Sequence, residues 1–322
     1  MILVIGEALI DLIGKNDASG NFTAVVGGAN ANVALALARR GEPQQFLGRI
    51  STDGFGVQIR HRLSSNGVNL ELAIAATEQA TLAVASIDPA GVASYSFYIN
   101  GTADWAWEPR ELPSLEKLQE LGVSAVQFGC LAMAIEPGNL VIEDWLLALY
   151  AAGAVTLSHD LNIRSALGFE RSKELQRVQR TNSQSHIIKA SDADLEWLFD
   201  LPAGADLDEI CHLWSQGSKL VVLTRGASGA SLYRGGKRID VAAPKIQLVD
   251  TVGAGDTFMA NFLAEINALA GLGAAPKPRL LKLSDQDLEQ AAAIAAVAAG
   301  IVCERAGCEP PTKEEVGLRI SE

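Results

Sequence analysis

The sequence is poor in the residues that build disulfide frameworks and metal centres. Its four histidines show no H-E-x-x-H or other ligand spacing, and no C-x-x-C pair occurs among its four cysteines, Cys130, Cys211, Cys303 and Cys308. Scattered cysteines are typical of buried, reduced thiols, which predicts a cytoplasmic protein. The same scatter argues against a structural zinc site.

The sequence also lacks a long apolar run and a basic segment. No basic stretch precedes Met1–Ile5, so we interpret these residues as a buried strand and expect no signal peptide. The most apolar stretch, Ala291–Cys303, is too short to predict a membrane span and favours a helix packed on a sheet. The net charge of −12, from 38 acidic and 26 basic residues, disfavours nucleic acid and anionic membranes as partners.

Two common nucleotide-binding motifs are missing as well. A nicotinamide-dependent dehydrogenase would carry G-x-G-x-x-G directly after its first strand, but residues 6–11 read G-E-A-L-I-D. A P-loop kinase would carry G-x-x-x-x-G-K-[ST], and no such string occurs in the chain. The sequence therefore argues against both classes.

What the chain does contain is a regular alternation of short apolar runs and helical patterns. The runs, typical of strands buried on both faces, are Ile2–Ile5, Ala125–Phe128, Val155–Ser158, Ile187–Lys189 and Leu220–Thr224. The helical patterns include Asn32–Arg40, Leu140–Ala151, Asp192–Leu198 and Leu207–Ser215. This alternation predicts one α/β domain over residues 1–322, in which helices cover both faces of a mostly parallel sheet. Ligands of such sheets bind beyond the carboxyl ends of the strands.

Two segments, residues 11–26 and 77–105, break this rhythm. They alternate apolar and polar residues and have no helix of their own, and the turn at residues 88–91 (D-P-A-G) predicts a hairpin in the second. We expect them to form a small β-sheet that projects from the domain as a lid. Because exposed sheet edges attract a second strand or subunit, we also expect a homodimer through this lid. Residues Gly271–Pro278 are predicted to form a loop between two C-terminal helices.

The most informative motif is D-T-V-G-A-G-D-T-F at residues 250–258. Phe258, Phe262 and Ile266 recur at helical spacing, so a helix is predicted to begin here. Glycines leave the N–H groups of a first turn open to a phosphate, and Asp256 beside them can accept a proton from an incoming hydroxyl. Phosphoryl transfer needs this combination of positioning, charge stabilisation and a modest base. Taken residue by residue, Asp256 could equally be a helix cap and the glycines a simple turn.

A second motif, G-G-A-N-A-N, occupies residues 27–32. The glycine pair allows a ligand to approach the backbone closely, and Asn32 offers both a donor and an acceptor to a diol. A turn before a helix capped by Asn30 explains the same residues, and the motif alone does not decide between the two.

Together, these segments resemble the two signatures of the ribokinase-like (PfkB) carbohydrate kinase family, and the resemblance extends over essentially the whole chain. It implies a ribokinase-like three-layer α/β/α domain with a small β-sheet lid, and ATP and Mg²⁺ as nucleotide and metal, with K⁺ in many members. In the implied roles, Asp256 is the catalytic base. The backbone of Gly253, Ala254 and Gly255 forms the anion hole for the transferred phosphoryl group.

The resemblance also assigns the two substrates. The sugar is expected to contact Asp11, Gly27, Gly28, Asn32, the lid residue Tyr98, and Asn162 and Arg164 of a D-x-N-x-R stretch that is similar to the fructokinase branch. The nucleotide is expected near Ser191, Asp194, Thr224, Gly226, Gly229 and Thr251, with Asp250 as a candidate monovalent-cation site.

Two departures from the family pattern bear on function. Ser191 and Asp194 stand where relatives have Asn and Glu, which leaves the magnesium-linked role of that element open. Ile99 stands where many relatives have an Arg that could bind an acidic substrate group, so its absence favours a neutral sugar. We expect a fructokinase-like enzyme. The alternatives are a 2-keto-3-deoxygluconate kinase, a nucleoside kinase, or a sugar-binding regulatory protein that has kept the kinase fold.

Overall fold

The computed structural model describes residues 1–14, 21–87 and 93–321. Its strands are β1 Ile2–Ile5, β2 Leu9–Gly14, β3 Phe22–Gly27, β4 Gln44–Leu47, β5 Arg49–Ser51, β6 Ile74–Ala76, β7 Leu82–Ile87, β8 Ala93–Tyr98, β9 Ala125–Gly129, β10 Thr156–Asp160, β11 Ile187–Ser191, β12 Leu220–Thr224, β13 Ala230–Arg234 and β14 Lys237–Val241. Its α-helices are α1 Ala29–Arg40, α2 Gly54–Ser65, α3 Leu115–Glu120, α4 Gly138–Ala152, α5 Arg171–Ser183, α6 Asp192–Phe199, α7 Asp208–Trp214, α8 Ala254–Ala268, α9 Pro276–Lys282, α10 Asp285–Cys303 and α11 Lys313–Ser321. Short 3₁₀ helices occupy Ala103–Trp105, Pro109–Glu111, Cys130–Met133, Ser165–Leu167 and Gly226–Ser228.

Eight strands form the central sheet, in the order β14-β13-β12-β11-β10-β9-β1-β4. The strands from β12 to β4 are parallel, whereas β13 and β14 are antiparallel additions at one edge. The carboxyl ends of β1, β9, β10, β11 and β12 therefore meet at one edge, where α/β sheets bind their ligands.

Strand β1 explains why helices cover both faces of this sheet. Successive residues of a strand point to opposite faces, and all four residues of β1 are apolar and buried. Ile2 and Val4 belong to a core with α1, α8 and α10, whereas Leu3 and Ile5 belong to a second core with α4. A third core joins β11 and β12 to α5, α6 and α7.

A separate four-stranded sheet, in the order β3-β2-β7-β8, adjoins the central domain. Its register pairs Asp11 with Ala83, and Ala83 with Phe97. Since paired residues share a face, Asp11 and Phe97 lie on one face and Tyr98, which pairs with Leu82, lies on the other. Strands β5 and β6 form a small parallel pair.

The predicted mostly parallel sheet and the small accompanying sheet are confirmed, and the five predicted strands are present with ends shifted by up to two residues. The predicted loop Gly271–Pro278 is wrong at its end, because α9 begins at Pro276, and proline is well accommodated in a first helical turn. The predicted hairpin turn at residues 88–91 lies outside the described residues.

Helix α10 is, in the described part of the chain, the one helix long and apolar enough to cross a membrane. More than half of its most apolar stretch is buried inside the protein, and it packs extensively against α8. These contacts are those of a core helix, as the alanine-rich sequence indicates.

Candidate active site

The site is built around the first turn of α8. Gly253 precedes this helix with a φ of 77°, and a Cβ there would lie 2.3 Å from the Cys308 sulfur, so only glycine fits. The turn comprises Ala254, Gly255 and Asp256. Ala254 N–H donates to the Thr251 carbonyl, whereas the N–H groups of Gly255 and Asp256 have no acceptor within the helix. These groups and the positive end of the helix dipole form a site for anionic charge.

The Asp256 carboxylate is 5% exposed and is held from two distant parts of the chain. Asn32 Nδ2, in α1, donates to one oxygen at 2.9 Å, and Asn162 Nδ2 donates to the other at 3.3 Å. Burial raises the pKa of Asp256, while the Asn32 hydrogen bond and the cations of Arg164 and Lys189 oppose the rise. The two amide donors thus fix the orientation of the carboxylate, as a general base requires.

Close to Asp256, the glycines at the start of α1 pack tightly against β2 and the residues before it. Gly27 lies so close to Asp11 that a Cβ would be 2.1 Å from its Oδ2. Gly28 has a φ of 105°, and a Cβ there would lie 2.6 Å from the Glu7 carbonyl oxygen. Burial raises the pKa of Asp11 to about 6, against the pull of the Arg164 cation. Both glycines therefore bring the start of α1 against the Asp11 strand.

The D-x-N-x-R stretch begins at the last residue of β10 and reaches Asp256 through Asn162. Asn162 has a φ of 41°, a conformation that Asn adopts more readily than most residues. Arg164 donates to Asn162 Oδ1, and Asn162 in turn donates to Asp256. Hydrogen bonds thus bring Asn32, Asn162, Arg164 and Asp256 together. Asp11 lies close enough for the Arg164 cation to oppose the rise that burial causes in its pKa.

The predicted nucleotide residues lie at the adjoining strand ends. Ser191 ends β11, and its register partner is Thr224, at the end of β12. Gly226 and Gly229 form the turn that follows, and a Cβ at Gly229 would lie 2.0 Å from the Val241 carbonyl oxygen. The glycine therefore allows this turn to pack against the edge of the sheet.

Ser191 and Asp194 form a capping box at the start of α6. Asp194 N–H donates to Ser191 Oγ at 3.1 Å, and Ser191 N–H donates to the Asp194 carboxylate at 2.8 Å. The other Asp194 oxygen accepts from Ile163 N–H at 2.7 Å. Asp194 thus joins α6 to the segment that carries Asn162 and Arg164.

Asp250 and Thr251 precede the first turn of α8. The Asp250 carboxylate accepts from Val252 N–H at 3.1 Å and from Gly307 N–H at 2.8 Å. Thr251 is exposed, and its carbonyl accepts from Ala254 N–H at 3.2 Å. Each Asp250 oxygen keeps a second lone pair that a monovalent cation could use.

Tyr98 was expected to contact the sugar, but the structure does not place it beside Asp11 and Asp256. Its side chain is 61% exposed, on the face of the small sheet opposite to Asp11. The Asp11 face carries Phe97, which is packed partly against the core. The sequence pattern of β8 could not distinguish these faces, because both neighbouring residues are aromatic.

Four buried charged residues at the site were not anticipated from the sequence. Glu7 accepts from Ala29 N–H at 2.9 Å, Asn30 Nδ2 at 2.9 Å and Ala132 N–H at 3.2 Å, and burial raises its pKa. It thereby fixes the start of α1. A signal was available, since a charged residue stands two positions after the end of the buried strand β1.

Asp104 is the second of these four. It accepts from Ala8 N–H at 2.9 Å and from the Thr81 hydroxyl, and burial raises its pKa to about 7. Asp160, the last residue of β10, and Lys189, the middle residue of β11, are the other two. They form a buried ion pair, in which Lys189 Nζ donates to both Asp160 oxygens at 2.9 and 2.8 Å.

Sequence comparison relates the chain to sugar kinases. Residues 1–315 match the pfkB family of carbohydrate kinases. A fructokinase from Rhizobium leguminosarum bv. trifolii is 36% identical over 269 residues, which cover 83% of this chain and 79% of the relative.

Solved structures give the same relationship. A fructokinase from Xylella fastidiosa with bound ATP superposes with a TM-score of 0.87 at 25% identity, covering 100% of this chain and 99% of that one. A fructokinase from Vibrio cholerae O395, crystallised with fructose, ADP and a potassium ion, has a TM-score of 0.81 at 21% identity, covering 98% and 97% of the two chains. The latter shows a shared fold.

Proposed function

The chain belongs to the pfkB family of carbohydrate kinases, and from this premise we propose that fructose is the sugar that it phosphorylates with ATP. The enzyme class, an ATP-dependent sugar kinase, follows from the family and from the fructokinase relatives. The choice of fructose is supported by the 36% identity with the Rhizobium fructokinase and by the D-x-N-x-R stretch at residues 160–164.

The observation that carries the proposal is the position of Asp256, buried at the start of α8 and held by Asn32 and Asn162. In the proposed reaction, Asp256 accepts the proton of the sugar hydroxyl as its oxygen attacks the γ-phosphorus of ATP. The bond from that phosphorus to the β-phosphate oxygen breaks, and ADP leaves with the electron pair. The N–H groups of the first turn stabilise the charge on the transferred group.

We propose that the sugar lies between the small sheet and the central strand ends. Asp11 and Asn32 would bind its hydroxyls, and Gly27 and Gly28 would allow it to approach the backbone. Arg164 lies near Asp11, so a sugar acid is the main alternative substrate, although Ile99 and not an arginine follows Tyr98.

The nucleotide would lie along the ends of β11 and β12, near Ser191, Thr224 and Gly226. In the described residues, no three His, Cys, Asp or Glu side chains cluster as metal ligands. Mg²⁺ would accompany the nucleotide beside Ser191 and Thr224, and it would reduce the charge of the phosphates. We assign a monovalent cation, K⁺ by preference, to Asp250. The assignment predicts that the wild type turns over faster in potassium than in lithium. The Asp250→Ala variant should turn over equally fast in both.

We further propose a soluble, cytoplasmic homodimer that forms through the small sheet. The support is the exposed apolar side chains on that sheet, Ile13, Phe22 and Tyr98, together with its open edges. Light scattering at micromolar concentration should give twice the mass of one chain for the wild type. The Phe22→Asp variant should give the mass of a single chain. A wild-type monomer would contradict the assignment.

The test of the function is a coupled ADP-release assay with Mg·ATP, potassium and a panel of acceptors. The panel comprises fructose, ribose, 2-keto-3-deoxygluconate and adenosine. The proposal predicts the highest kcat/KM for fructose. The Asp256→Asn variant, purified identically, is the control against a contaminating kinase.

The other outcomes each identify an alternative. Turnover of the keto-acid alone would mean that Arg164 recognises its carboxylate, and turnover of adenosine alone would indicate a nucleoside kinase. Absence of turnover with every acceptor, together with measurable sugar binding by calorimetry, would indicate a sugar-binding protein on a kinase fold.

A further inference from the structure

Lys189 is a buried cation in the middle of β11, where it pairs in register with the last residue of β10. Its side chain is 4% exposed and is paired with Asp160, whose side chain is 5% exposed. Burying an ion pair costs desolvation energy, and well-packed apolar residues often stabilise a fold as well or better. Stability alone therefore gives a weak reason for a lysine at this position.

The Lys189 ammonium lies against the first turn of α8. A Cβ on Gly255 would be 3.3 Å from Lys189 Nζ, so the missing side chain brings the cation up to the helix start. The Gly255 N–H is one of the groups that have no acceptor within the helix. An ammonium, the N–H groups of the turn and the Asp256 carboxylate thus converge on one small region.

The surrounding charges keep this lysine protonated. Burial by itself would lower the pKa of Lys189, but Asp160, Asp194 and Asp256 raise it above its usual range. Arg164, which also acts on Asp256, donates to Asn162 and opposes the rise that burial causes in the pKa of Asp11, so it lies beside the residues proposed to bind the sugar. Lys189 is therefore the cation on the phosphate side.

We propose that Lys189 contacts the transferred phosphoryl group beside the Gly255 N–H, and that Asp160 is the positioning residue that aims it. The inference rests on the proposed function. The ammonium keeps its proton throughout, while the sugar proton passes to Asp256. Its contribution is charge stabilisation of the phosphoryl oxygens as the bond to ADP breaks.

The experiment compares Lys189→Met, Asp160→Asn and the double variant D160N/K189M. Loss of one charge-stabilising donor is expected to lower kcat of K189M by about 10²–10³-fold, with little change in either KM. D160N keeps the ammonium, so its kcat should exceed that of K189M by about tenfold, equivalent to about 1.4 kcal/mol of transition-state stabilisation. Lys219→Met, at the opposite end of the neighbouring strand β12, is the control and should retain full turnover.

The double variant separates catalysis from folding. It removes both charges, so it should recover the thermal stability that each single variant loses by leaving one buried charge unpaired. If Lys189 acts on the phosphoryl group, kcat stays low in the double variant. Recovery of kcat together with stability would overturn the proposal. It would mean that the two neutral side chains of the double variant can replace the ion pair, whose role would then be structural only.

Turnover is measured with the acceptor that the wild type uses best, so that a sugar other than fructose leaves this test intact. Should the wild type use none, binding of Mg·ADP with aluminium fluoride is compared with binding of Mg·ADP alone. The proposal predicts that the fluoride tightens binding in the wild type and in K219M, and that K189M loses this gain. Equal tightening in K189M would refute it.

Discussion

In the proposed reaction, the residue that decides the chemistry is Asp256, whose two oxygens accept from Asn32 and Asn162. Asn at position 256 keeps the size of the side chain and removes the base. We expect Asp256→Asn to lower kcat by about 10²–10⁴-fold, the usual contribution of a general base. The Kd for Mg·ATP should not change, since the N–H groups of the turn remain.

A matched control is available at the start of α10. Asp287 occupies the third position of its helix, as Asp256 does in α8, but it lies at the surface in a capping box with Ser284. Asp287→Asn should leave kcat unchanged. Near-normal kcat in the Asp256 variant would exclude it as the base.

Asp11 gives the site a predictable response to pH. Burial raises its pKa to about 6, so its carboxyl group is mostly neutral below that pH and ionised above it. An ionised carboxylate binds sugar hydroxyls by charge-assisted hydrogen bonds. The kcat/KM for the sugar should therefore fall as pH decreases through about 6, and level off above it.

The Asp11→Asn variant tests this assignment. Losing one charged hydrogen bond, about 1.5–3 kcal/mol, should raise KM for the sugar by roughly 10–100-fold. The decrease of 1/KM on the acid side should disappear with the carboxylate. An identical pH dependence of KM in the variant would assign the titration to another group, such as Asp256, whose pKa is also raised.

At the scale of elements, the start of α6 supports the sugar side of the site. Asp194 accepts from Ser191 N–H in the capping box and from Ile163 N–H in the D-x-N-x-R segment. Asp194→Ala leaves these donors unsatisfied and should lower the free energy of unfolding by about 1–3 kcal/mol. Because Asn162 and Arg164 lose their anchor, KM for the sugar should also rise, by about tenfold.

Urea denaturation and steady-state kinetics measure the two effects separately. Asp287→Ala breaks the corresponding capping box of α10, away from the site, so it should lower stability without changing KM. An unchanged KM in the Asp194 variant would confine its role to the helix cap.

At the scale of the whole molecule, Asp104 joins the small sheet to the central domain. It accepts from Ala8 and Thr81, which precede β2 and β7, and the Thr81 hydroxyl contacts that of Thr102, which follows β8. Its pKa of about 7 in the folded protein exceeds the usual value of 3.8, so the folded state binds the proton more tightly. The contribution of this group to stability is therefore complete at acidic pH and is lost as pH rises from about 4 to 7.

We expect Asp104→Asn to reduce this pH dependence. The Asn oxygen can still accept from Ala8 N–H, and its amide can donate to the Thr81 hydroxyl. From about pH 5 to pH 8, the variant should lose less unfolding free energy than the wild type. The difference should reach about 3 kcal/mol, because about two pH units of this range lie below the pKa of Asp104 and each contributes about 1.4 kcal/mol. Urea titrations at several pH values measure the free energy of unfolding of both proteins. An equal decrease in both would show that Asp104 is already ionised in the folded protein.

Local patterns in the sequence were sufficient for the elements and the family. Continuous apolar runs predicted β1, β9, β10, β11 and β12, because a strand buried on both faces has no polar side. The motifs at residues 27–32 and 250–258 could be recognised because glycine spacing and the start of a helix depend on residues close in sequence. The added antiparallel strands β13 and β14 and the position of α9 were not anticipated, because their sequences carry weaker patterns.

What the sequence by itself determined is therefore the α/β architecture, the kinase family and the identity of the chemical groups in each motif. Only the tertiary structure decided which groups are in contact. It brings Asn32 and Asn162 to Asp256 and Lys189 to Asp160, and it places Tyr98 on the face of the small sheet opposite to Asp11. The physical reason is that strand order and register are set by packing between segments far apart in the chain, where a shift of one residue reverses every side chain of a strand. Periodicity within one segment contains no information about that choice.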